Sequence, residues 1–253
     1  MNDIDKVALI LAAGKGKRMK SDIAKVLHKL NGRYIVEYVI DAAREAGLGR
    51  QILVIGHQAE MVKKALSGYG VEFALQAEQL GTGHAVMMAE PMLDNFCGDL
   101  VVLCGDMPLV KPATIKRLVN ERHRLGAAAV VLTAVLDDPG SYGRIVRNDR
   151  GLLRAIVEYR DADNEVRSIK EVNTGAYCFD WEALKPILSR LSANNDQKEY
   201  YLTDTVSILV GQGKPVGAII ADDPMEGFGI NSISELEMVE KLINNGTSGT
   251  RKL

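Results

Sequence analysis

The feature that most constrains this chain is an apolar segment at residues 7–11 that leads directly into the small-residue loop A-A-G-K-G at residues 12–16. The apolar residues do not alternate with polar ones, which is typical of a parallel strand covered on both faces. Alanine and glycine let the following backbone turn sharply and present its N–H groups to an anion at close range. The pattern predicts a phosphate-binding loop at the carboxyl end of a buried strand.

Two long cations, Arg18 and Lys25, follow this loop within reach of the same anion. A planar arginine fork and a mobile lysine charge together suit a triphosphate better than a single carboxylate. Two familiar motifs do not fit. The dinucleotide fingerprint requires a small residue where Met19 stands, and the P-loop requires glycine at Leu11 and serine or threonine at Arg18. The alternative, that the glycines only turn the chain and the cations are solvated, stays open from spacing alone.

The composition limits the class of protein. Of 253 residues, 47% are hydrophobic and 25% are charged, the balance of an ordinary globular protein. The formal net charge of −2 does not suggest a nucleic-acid-binding protein, so any phosphate recognition must be local. The three cysteines lack the spacing of a zinc site, no apolar run is long enough to span a membrane, and the acidic N-terminus differs from a secretion signal. We expect a cytoplasmic protein with neither a nucleic-acid nor a membrane partner.

The order of predicted elements indicates an α/β protein. The first half alternates strands at 7–11, 51–55, 71–75, 100–103 and 127–136 with helices at 33–46, 59–66 and 112–125. The second half predicts a hairpin of strands 143–146 and 152–159, further strands at 173–179 and 216–220, and helices at 181–191, 204–210 and 232–242. We predict a Rossmann-like three-layer α/β/α fold with a mostly parallel mixed central sheet and a small β-rich insertion in the second half.

Asp106 is the first candidate metal ligand. It follows the predicted strand 100–103 in the sequence C-G-D-M-P, and the carboxyl ends of parallel strands meet at one edge of the sheet. A carboxylate beside a phosphate loop repels the phosphate unless a divalent cation lies between them, and Mg²⁺ suits such oxygen ligands. The alternative is that Asp106 caps the following turn.

A second loop, Q-A-E-Q-L-G-T-G-H-A at residues 76–85, is expected at the same edge of the sheet. The Gln76 amide both donates and accepts, which suits the edge of a nucleobase, and the glycines let a base or sugar lie on the backbone. We interpret His84 as structural because no nucleophile or orienting carboxylate stands at a readable spacing. Several neutral polar residues and one carboxylate, Glu158, in the second half have the chemistry that a sugar requires.

Together these motifs resemble the nucleotidyl-diphospho-sugar transferase family, and within it the N-acetylglucosamine-1-phosphate uridylyltransferases. The similarity spans nearly the whole chain, through L-A-A-G-K-G-K-R-M, Q-A-E-Q-L-G-T-G-H-A, G-D-M-P-L, Y-G-R-I, E-V-N-T-G, E-Y-Y-L-T-D and G-I-N-S. The first motif marks only the broad family. The second, together with Y-G-R-I and E-Y-Y-L-T-D, is specific to the N-acetylglucosamine branch.

The resemblance implies a role for each motif. Its implied catalytic residues are Arg18 and Lys25, which would hold the UTP phosphates. Its implied nucleotide-binding residues are Leu11, Ala12, Ala13, Gly14, Gly16, Gln76, Gln79, Gly81 and Thr82. Its implied sugar-binding residues are Gly143, Glu158, Asn173, Tyr201 and Thr203, and its implied Mg²⁺ ligands are Asp106 and Asn231. The implied arrangement is one nucleotidyltransferase domain over 1–243, with a nucleotide-binding half at 1–136, a sugar-binding half at 137–230, a terminal helix at 231–243 and a polar tail at 244–253.

The implied reaction joins UTP and N-acetyl-α-D-glucosamine 1-phosphate into UDP-N-acetylglucosamine and pyrophosphate by Mg²⁺-assisted in-line attack, without a covalent intermediate, and feeds cell-envelope precursor synthesis. Two alternatives stay open: a sister enzyme that uses glucose 1-phosphate with UTP or dTTP, and a sensor that binds sugar nucleotides without turnover. The sequence departs from the family pattern at Ala24, where proline usually precedes the lysine, and at Cys104, where some members have tyrosine. It also lacks the β-helix repeats of the bifunctional members, so we expect no acetyl transfer and leave the oligomeric state open.

Overall fold

Alternation along the central strand divides the core into two layers. In the computed structural model, which describes residues 5–248 and the side chains of 5–245, Val7 and Leu9 face one side of the sheet and Ala8 and Ile10 the other. All four are buried. Because both faces are apolar, helices cover both, and this confirms the predicted three-layer α/β/α fold.

Within residues 5–248 the strands form one nine-stranded sheet and one two-stranded hairpin. In chain order they are β1 (Asp5–Leu11), β2 (Lys29–Leu30), β3 (Arg33–Tyr34), β4 (Arg50–Ile55), β5 (Glu72–Leu75), β6 (Gly98–Cys104), β7 (Ala129–Val135), β8 (Arg144–Arg147), β9 (Leu153–Val157), β10 (Glu171–Asp180) and β11 (Val216–Ile220). The large sheet has the order β11-β7-β10-β6-β1-β4-β5, with the β8–β9 hairpin joined to β10. Within that order β10 is antiparallel to both of its neighbours, and the other pairs are parallel.

The helices are distributed over the two faces. They are α1 (Ile35–Glu45), α2 (Ala59–Ala65), α3 (Thr82–Ala89), α4 (Pro112–Leu125), α5 (Asn164–Arg167), α6 (Trp181–Leu188), α7 (Asp204–Gly211) and α8 (Ile233–Ser248). Helices α3, α6 and α7 pack on the face of Leu9, while α1, α2 and α4 pack on the face of Ile10. No helix in the described part of the chain has the length and apolarity needed to cross a bilayer.

The chain reverses direction across the sheet at β1. From β1 it runs to β4 and β5 on one side, and it then returns through α3 to β6 on the other side. In open α/β sheets, such a reversal leaves a crevice at the carboxyl ends of the two strands. The loop at 12–16 and the segment 104–106 therefore face each other across this crevice.

Several predicted element boundaries were wrong by two residues or more, including three at helices. Helix α1 begins at Ile35 instead of residue 33, because Asn31 and Gly32 adopt positive φ angles and turn the chain into the β2–β3 hairpin. Helix α6 ends at Leu188 instead of residue 191. The terminal helix α8 continues through Ser248 instead of ending near 243, so residues 244–248 of the expected polar tail are helical.

The late turns of α8 have partners that the sequence pattern did not indicate. The Asn31 backbone N–H donates to Glu240 Oε1 at 3.0 Å, and the Asn31 amide donates to Asn244 Oδ1 at 3.1 Å. Val239 is fully buried in a small apolar cluster with Leu30 and Ile230. These contacts dock α8 on the β2–β3 hairpin. The rest of the expected tail, residues 249–253, lies outside the described residues.

A buried ion cluster ties α4 to the sheet at the amino end of β6. Asp99 has no exposed surface; its carboxylate contacts the Arg122 guanidinium and lies 2.6 Å from His123 Nε2. The Arg122 contact is an ion pair without hydrogen-bond alignment, while Arg122 Nη1 donates to Ala127 O at 3.2 Å. The cluster is at the opposite edge of the sheet from the crevice, so it is structural.

We predict that Asp99→Asn lowers the free energy of unfolding by about 3 kcal/mol, because the largely buried Arg122 then loses the carboxylate that it contacts and keeps the Asp180 carboxylate at 4.0 Å from Nη1. Urea unfolding measures the change. The matched control is Asp222→Asn, which removes an exposed pair with Arg117 and is expected to cost less than about 1 kcal/mol. Equal losses in the two variants would contradict the structural role of the cluster.

Candidate active site

A cavity of about 470 Å³ opens where β1, β5 and β6 end. The predicted nucleotide-binding residues that line it are Leu11, Ala12, Ala13, Gly14, Gly16, Gln76, Gln79, Gly81 and Thr82. Lys25 and Asp106 line it as well. Residues from four separate sequence motifs therefore share one cavity.

The floor of the cavity is fixed by backbone hydrogen bonds that continue the sheet past its strands. Ala12 N donates to Val54 O at 2.8 Å, and Gly105 N donates to Leu11 O at 2.9 Å. Beyond these bonds the chain turns at Gly16, which has a φ of +56°. A Cβ at Gly16 would lie 2.8 Å from Lys25 Cβ, so the loop packs directly on the stem of this lysine.

The Lys25 ammonium joins the two predicted metal ligands. It contacts Asp106 Oδ2 in a short ion pair and donates to Asn231 Oδ1 at 3.1 Å. The Lys25 and Asp106 side chains are 15% and 17% exposed, so little water screens the pair. The two predicted metal ligands thus both contact the Lys25 ammonium.

The start of α8 orients Asn231. Its amide nitrogen donates to Gly229 O at 2.8 Å, which turns Oδ1 towards Lys25. The Glu235 carboxylate accepts from the backbone N–H groups of Asn231 and Ser232 at 2.6 and 3.0 Å, and Ser232 Oγ accepts from Glu235 N at 3.3 Å. This reciprocal pattern is a capping box, so the helix terminus fixes the position of the ligand.

The second loop is folded around the Gln76 side chain. Gln76 is buried, and its amide nitrogen lies 2.9 Å from Gly81 O and 3.1 Å from His84 Nδ1. His84 is thereby a hydrogen-bond partner inside the loop, as its structural interpretation requires. The Gln79 amide donates to Gln76 O at 3.0 Å, which closes the loop on itself.

Gly56 is a site residue that the sequence reasoning missed. A Cβ at this position would lie 2.6 Å from Gln76 O and 2.7 Å from Gln79 Nε2. The available signal was its place directly after β4, because the ends of neighbouring parallel strands share one edge of the sheet. Only glycine lets the loop approach β4 this closely.

Three hydrogen bonds join the second loop to the segment before α7. Gly83 N donates to Tyr200 O at 2.7 Å, Tyr200 N donates to Leu80 O at 2.8 Å, and Leu202 N donates to Thr82 Oγ1 at 3.0 Å. A Cβ at Gly81 would lie 2.6 Å from Tyr200 O. The loop next to the cavity and the segment 200–203 are therefore one packed unit.

The predicted sugar-binding residues cluster beyond this segment, outside the 470 Å³ cavity. Asn173 N donates to Gly143 O at 2.9 Å, and Thr203 Oγ1 donates to Glu158 Oε1 at 3.2 Å. A Cβ at Gly143 would lie 3.4 Å from Glu158 Oε2, so the carboxylate faces the glycine backbone. Tyr201, the fifth predicted residue, is buried, and its hydroxyl accepts from Gln197 at 2.9 Å.

Two further residues, Arg144 and Cys104, hold this cluster in place. The buried Arg144 guanidinium donates to Gly140 O at 2.9 Å and to Arg167 O at 3.1 Å, which fixes the turn before Gly143. Cys104 Sγ lies 3.6 Å from Gly175 O, at the irregular part of β10 next to Asn173. Cys104 therefore supports the strand that carries a predicted sugar ligand.

Burial shifts the acids and hydroxyls near this cluster towards their neutral forms. It raises the pKa of Glu158, and the Thr203 hydrogen bond opposes part of that shift. It likewise raises the pKa of Tyr201 and that of the Cys104 thiol to about 12 each. Cys104 is therefore a neutral thiol at physiological pH and a poor nucleophile.

Among the predicted catalytic and nucleotide-binding residues, Arg18 is the one that does not line the cavity. It is exposed in the short helical turn Lys17–Met19, while Lys15 and Lys17 line the cavity in its place. Positions 17 and 18 point to different sides of that turn, which spacing alone did not reveal.

Comparisons with known proteins indicate the family of this chain. A family model described as the MobA-like NTP transferase domain matches residues 8–175. Three curated relatives are each named Bifunctional protein GlmU. The one from Trichlorobacter lovleyi is 49% identical over 237 residues, or 93% of this chain. The one from Bacillus velezensis is 47% identical over 93% of this chain. The one from Clostridium beijerinckii is 45% identical over 95% of this chain. The chain covers 52% of each relative, so it spans about half the length of the curated relatives it matches.

A solved structure has the same fold. The crystal structure of UDP-glucose pyrophosphorylase complexed with UDP-glucose superposes with a TM-score of 0.75 over 95% of this chain and 99% of that one. Its sequence identity is 17%, so the similarity concerns the fold alone. The matched family model identifies a nucleotidyltransferase domain. The chain belongs to the MobA-like NTP transferase family, which confirms the resemblance seen in the motifs.

Members of this family generally use a divalent metal ion, and the residues here fit one. Asp106 and Asn231 offer a carboxylate and an amide oxygen that converge on Lys25. A Cβ at Gly229 would lie 3.4 Å from both Asp106 oxygens, so glycine keeps space beside the carboxylate. Among the residues that the structure describes, no group of three or more His, Cys, Asp or Glu forms a metal cage. Two protein oxygens completed by phosphate and water suit a hard cation.

We predict that Gly56→Ala lowers the free energy of unfolding by about 2 kcal/mol, because the methyl group collides with Gln76 O and Gln79 Nε2. Urea unfolding measures the loss. The matched control is Gly49→Ala, where an added Cβ has no atom within 4 Å, and its effect is expected to stay within about 0.5 kcal/mol. A neutral Gly56→Ala would contradict the close approach of the second loop to β4.

We predict that Glu158→Gln raises the free energy of unfolding at pH 8. The folded-state pKa of Glu158 lies above its ordinary value of 4.5, so ionisation opposes folding at high pH. The gain shrinks as the pH falls and disappears below 4.5, where the carboxyl is protonated in both states. Urea unfolding at pH 8 and pH 4 tests this, with the exposed Glu165→Gln as control. A gain that persists at pH 4 would show that ionisation is not its cause.

Proposed function

We propose that this chain transfers a uridylyl group from UTP to N-acetyl-α-D-glucosamine 1-phosphate, giving UDP-N-acetylglucosamine and pyrophosphate. The observation that carries the proposal is the contact of Lys25 with both Asp106 and Asn231, beside the loop 12–16 and the Gln76 loop. It is a cation site of the kind that polyphosphate transfer needs, next to a cavity suited to a nucleobase. The similarity to the GlmU relatives over 93–95% of the chain supports the same reaction.

The nucleotide is assigned to the cavity. Backbone N–H groups of the loop 12–16 and the side chains of Lys25, Lys15 and Lys17 provide the positive environment for its phosphates. Gln76 and Gln79 bring amide groups to the other end of the cavity, where they suit a pyrimidine edge. Arg18 keeps its proposed role only if its exposed side chain turns towards the leaving pyrophosphate.

The amino sugar is assigned to the cluster of Gly143, Glu158, Asn173, Tyr201 and Thr203. This cluster combines one carboxylate with backbone, amide and hydroxyl groups, which together match the donors and acceptors of sugar hydroxyls and an acetamide. It is continuous with the nucleotide cavity through the segment 200–203. A sugar phosphate bound here directs its phosphate oxygen towards the nucleotide.

The proposed chemistry is direct in-line displacement. A phosphate oxygen of the sugar phosphate attacks the α-phosphorus of UTP, the bond to the β-phosphate breaks, and pyrophosphate leaves. No protein nucleophile is needed, and the neutral Cys104 thiol in the cavity is unsuited to be one. Asp106 and Asn231 would hold a Mg²⁺ ion, which would supply Lewis-acid stabilisation of the phosphate charge. The protein positions both phosphates and neutralises developing charge with its lysines.

We predict that Asp106→Ala abolishes pyrophosphate release from UTP and N-acetylglucosamine 1-phosphate, with a loss of at least about 10³-fold in kcat, because the metal and Lys25 both lose their carboxylate. The control is Asp94→Ala at an exposed acid, which is expected to retain activity. Wild-type rates in Asp106→Ala would remove the metal assignment.

The same assay, run over a panel of nucleotides and sugar phosphates, tests the substrates. N-acetylglucosamine 1-phosphate with UTP is expected to give the highest kcat/KM. A preference for glucose 1-phosphate, or for dTTP, would identify a sister transferase. Binding of UDP-N-acetylglucosamine without turnover at saturating Mg²⁺ would identify a sensor. The cytoplasmic location stays a prediction.

A further inference from the structure

The Lys25 ammonium would compete with a bound metal ion for one position. It occupies the point on which the Asp106 carboxylate and the Asn231 amide oxygen converge. A divalent cation bound by the same two oxygens needs that point. A primary ammonium and a metal ion cannot both lie there, since like charges at contact distance repel strongly where water is scarce.

Neither member of the Lys25–Asp106 ion pair can lose its partner without an electrostatic cost. With side chains 15% and 17% exposed, Lys25 and Asp106 are largely desolvated, and removal of one leaves the other as an uncompensated charge. A metal ion that displaces Lys25 by itself satisfies Asp106 but leaves the ammonium without an anion. A polyphosphate in the cavity supplies that anion, because Lys25 lines the cavity next to the loop 12–16.

The aliphatic part of the Lys25 side chain is fixed, whereas its ammonium can reach a second position inside the cavity. Its Cβ lies against Gly16, close enough that a Cβ on Gly16 would approach it to 2.8 Å. The backbone of 24–27 forms a short helical turn whose Leu27 N donates to Ala24 O at 2.8 Å. Rotation of the side chain alone can therefore carry the ammonium from Asp106 into the cavity without a change in the backbone.

We propose that Lys25 is the resident counter-cation of Asp106 and Asn231, and that a divalent metal ion displaces it efficiently only when a polyphosphate is bound to receive the ammonium. The chain then binds metal weakly by itself and strongly together with nucleotide, and by reciprocity the metal strengthens nucleotide binding. This inference rests on the proposed function only in assigning a polyphosphate to the cavity.

Mn²⁺ binding to the protein without nucleotide tests the inference, with free Mn²⁺ followed by electron paramagnetic resonance. Wild type is expected to bind Mn²⁺ weakly, and Lys25→Met at least about tenfold more tightly, because the competing cation is gone. Lys25→Arg, which keeps the charge, is expected to resemble wild type. If Lys25→Met binds Mn²⁺ no more tightly than wild type, the proposal is wrong.

Two control variants distinguish the displacement of Lys25 from a general change in the electrostatic potential of the cavity. Lys17→Met removes a cation that lines the same cavity but pairs with no carboxylate in the described part of the chain, and its Mn²⁺ affinity is expected to stay near that of wild type. An increase equal to that of Lys25→Met would overturn the proposal. Adding Asp106→Asn to Lys25→Met is expected to cancel the gain, and a gain that survives would place the ion elsewhere.

The Mn²⁺ affinity of wild type with and without a sugar nucleotide gives a test that does not depend on the folding of a variant. Saturating UDP-N-acetylglucosamine is expected to raise the Mn²⁺ affinity of wild type about tenfold, after subtraction of a protein-free control. If the sugar nucleotide binds and the affinity does not change, the proposal fails. If Mn²⁺ binding follows the expected order among the variants but no uridylyl transfer is found, the proposed function fails and the counter-cation role stands.

Discussion

The ion pair between Lys25 and Asp106 brings together segments that are far apart in sequence. Lys25 is 81 residues from Asp106 and 206 from Asn231, and all three meet at one ammonium group. Each is delivered by a different structural device: a glycine-packed turn for Lys25, the end of β6 for Asp106, and the capping box of α8 for Asn231. The site forms only when the sheet, the first loop and the terminal helix are all in place.

Much of the fold could be predicted from the sequence because parallel strands leave unbroken apolar runs and their ends meet at a known edge. The rule predicts that the loop 12–16, Gln76 and Asp106 lie near one another, and in the structure they line one cavity. It did not place Arg18, because one step along a tight helical turn changes the direction of a side chain. It also does not predict the β2–β3 hairpin, because the helical spacing of apolar residues after residue 33 masks the Asn31-Gly32 turn signal.

Other features were hidden because they depend on contacts between distant backbones. Gly56, Gly81 and Gly83 look like ordinary turn glycines, yet a Cβ on each would approach an atom of a remote segment to within 3 Å. The docking of α8 on the Asn31 turn likewise depends on a pairing that no local pattern encodes. Sequence periodicity indicates which face of an element is buried but not which residues pack against that face. The geometry of the site depends on those packing partners.

The β8–β9 hairpin has one ladder pair with β10, Arg144 with Val172, and it also packs Ile145, Leu153 and Ile156 into the main core. The second loop, by contrast, is tied to the segment 200–203 by three hydrogen bonds and by glycines that tolerate no side chain. The two walls of the proposed sugar cluster therefore depend on different contacts, apolar packing for the hairpin and close backbone approach for the loop. An exchange of the hairpin must preserve its apolar face, whereas a graft at 200–203 must carry the Gln76 loop with it.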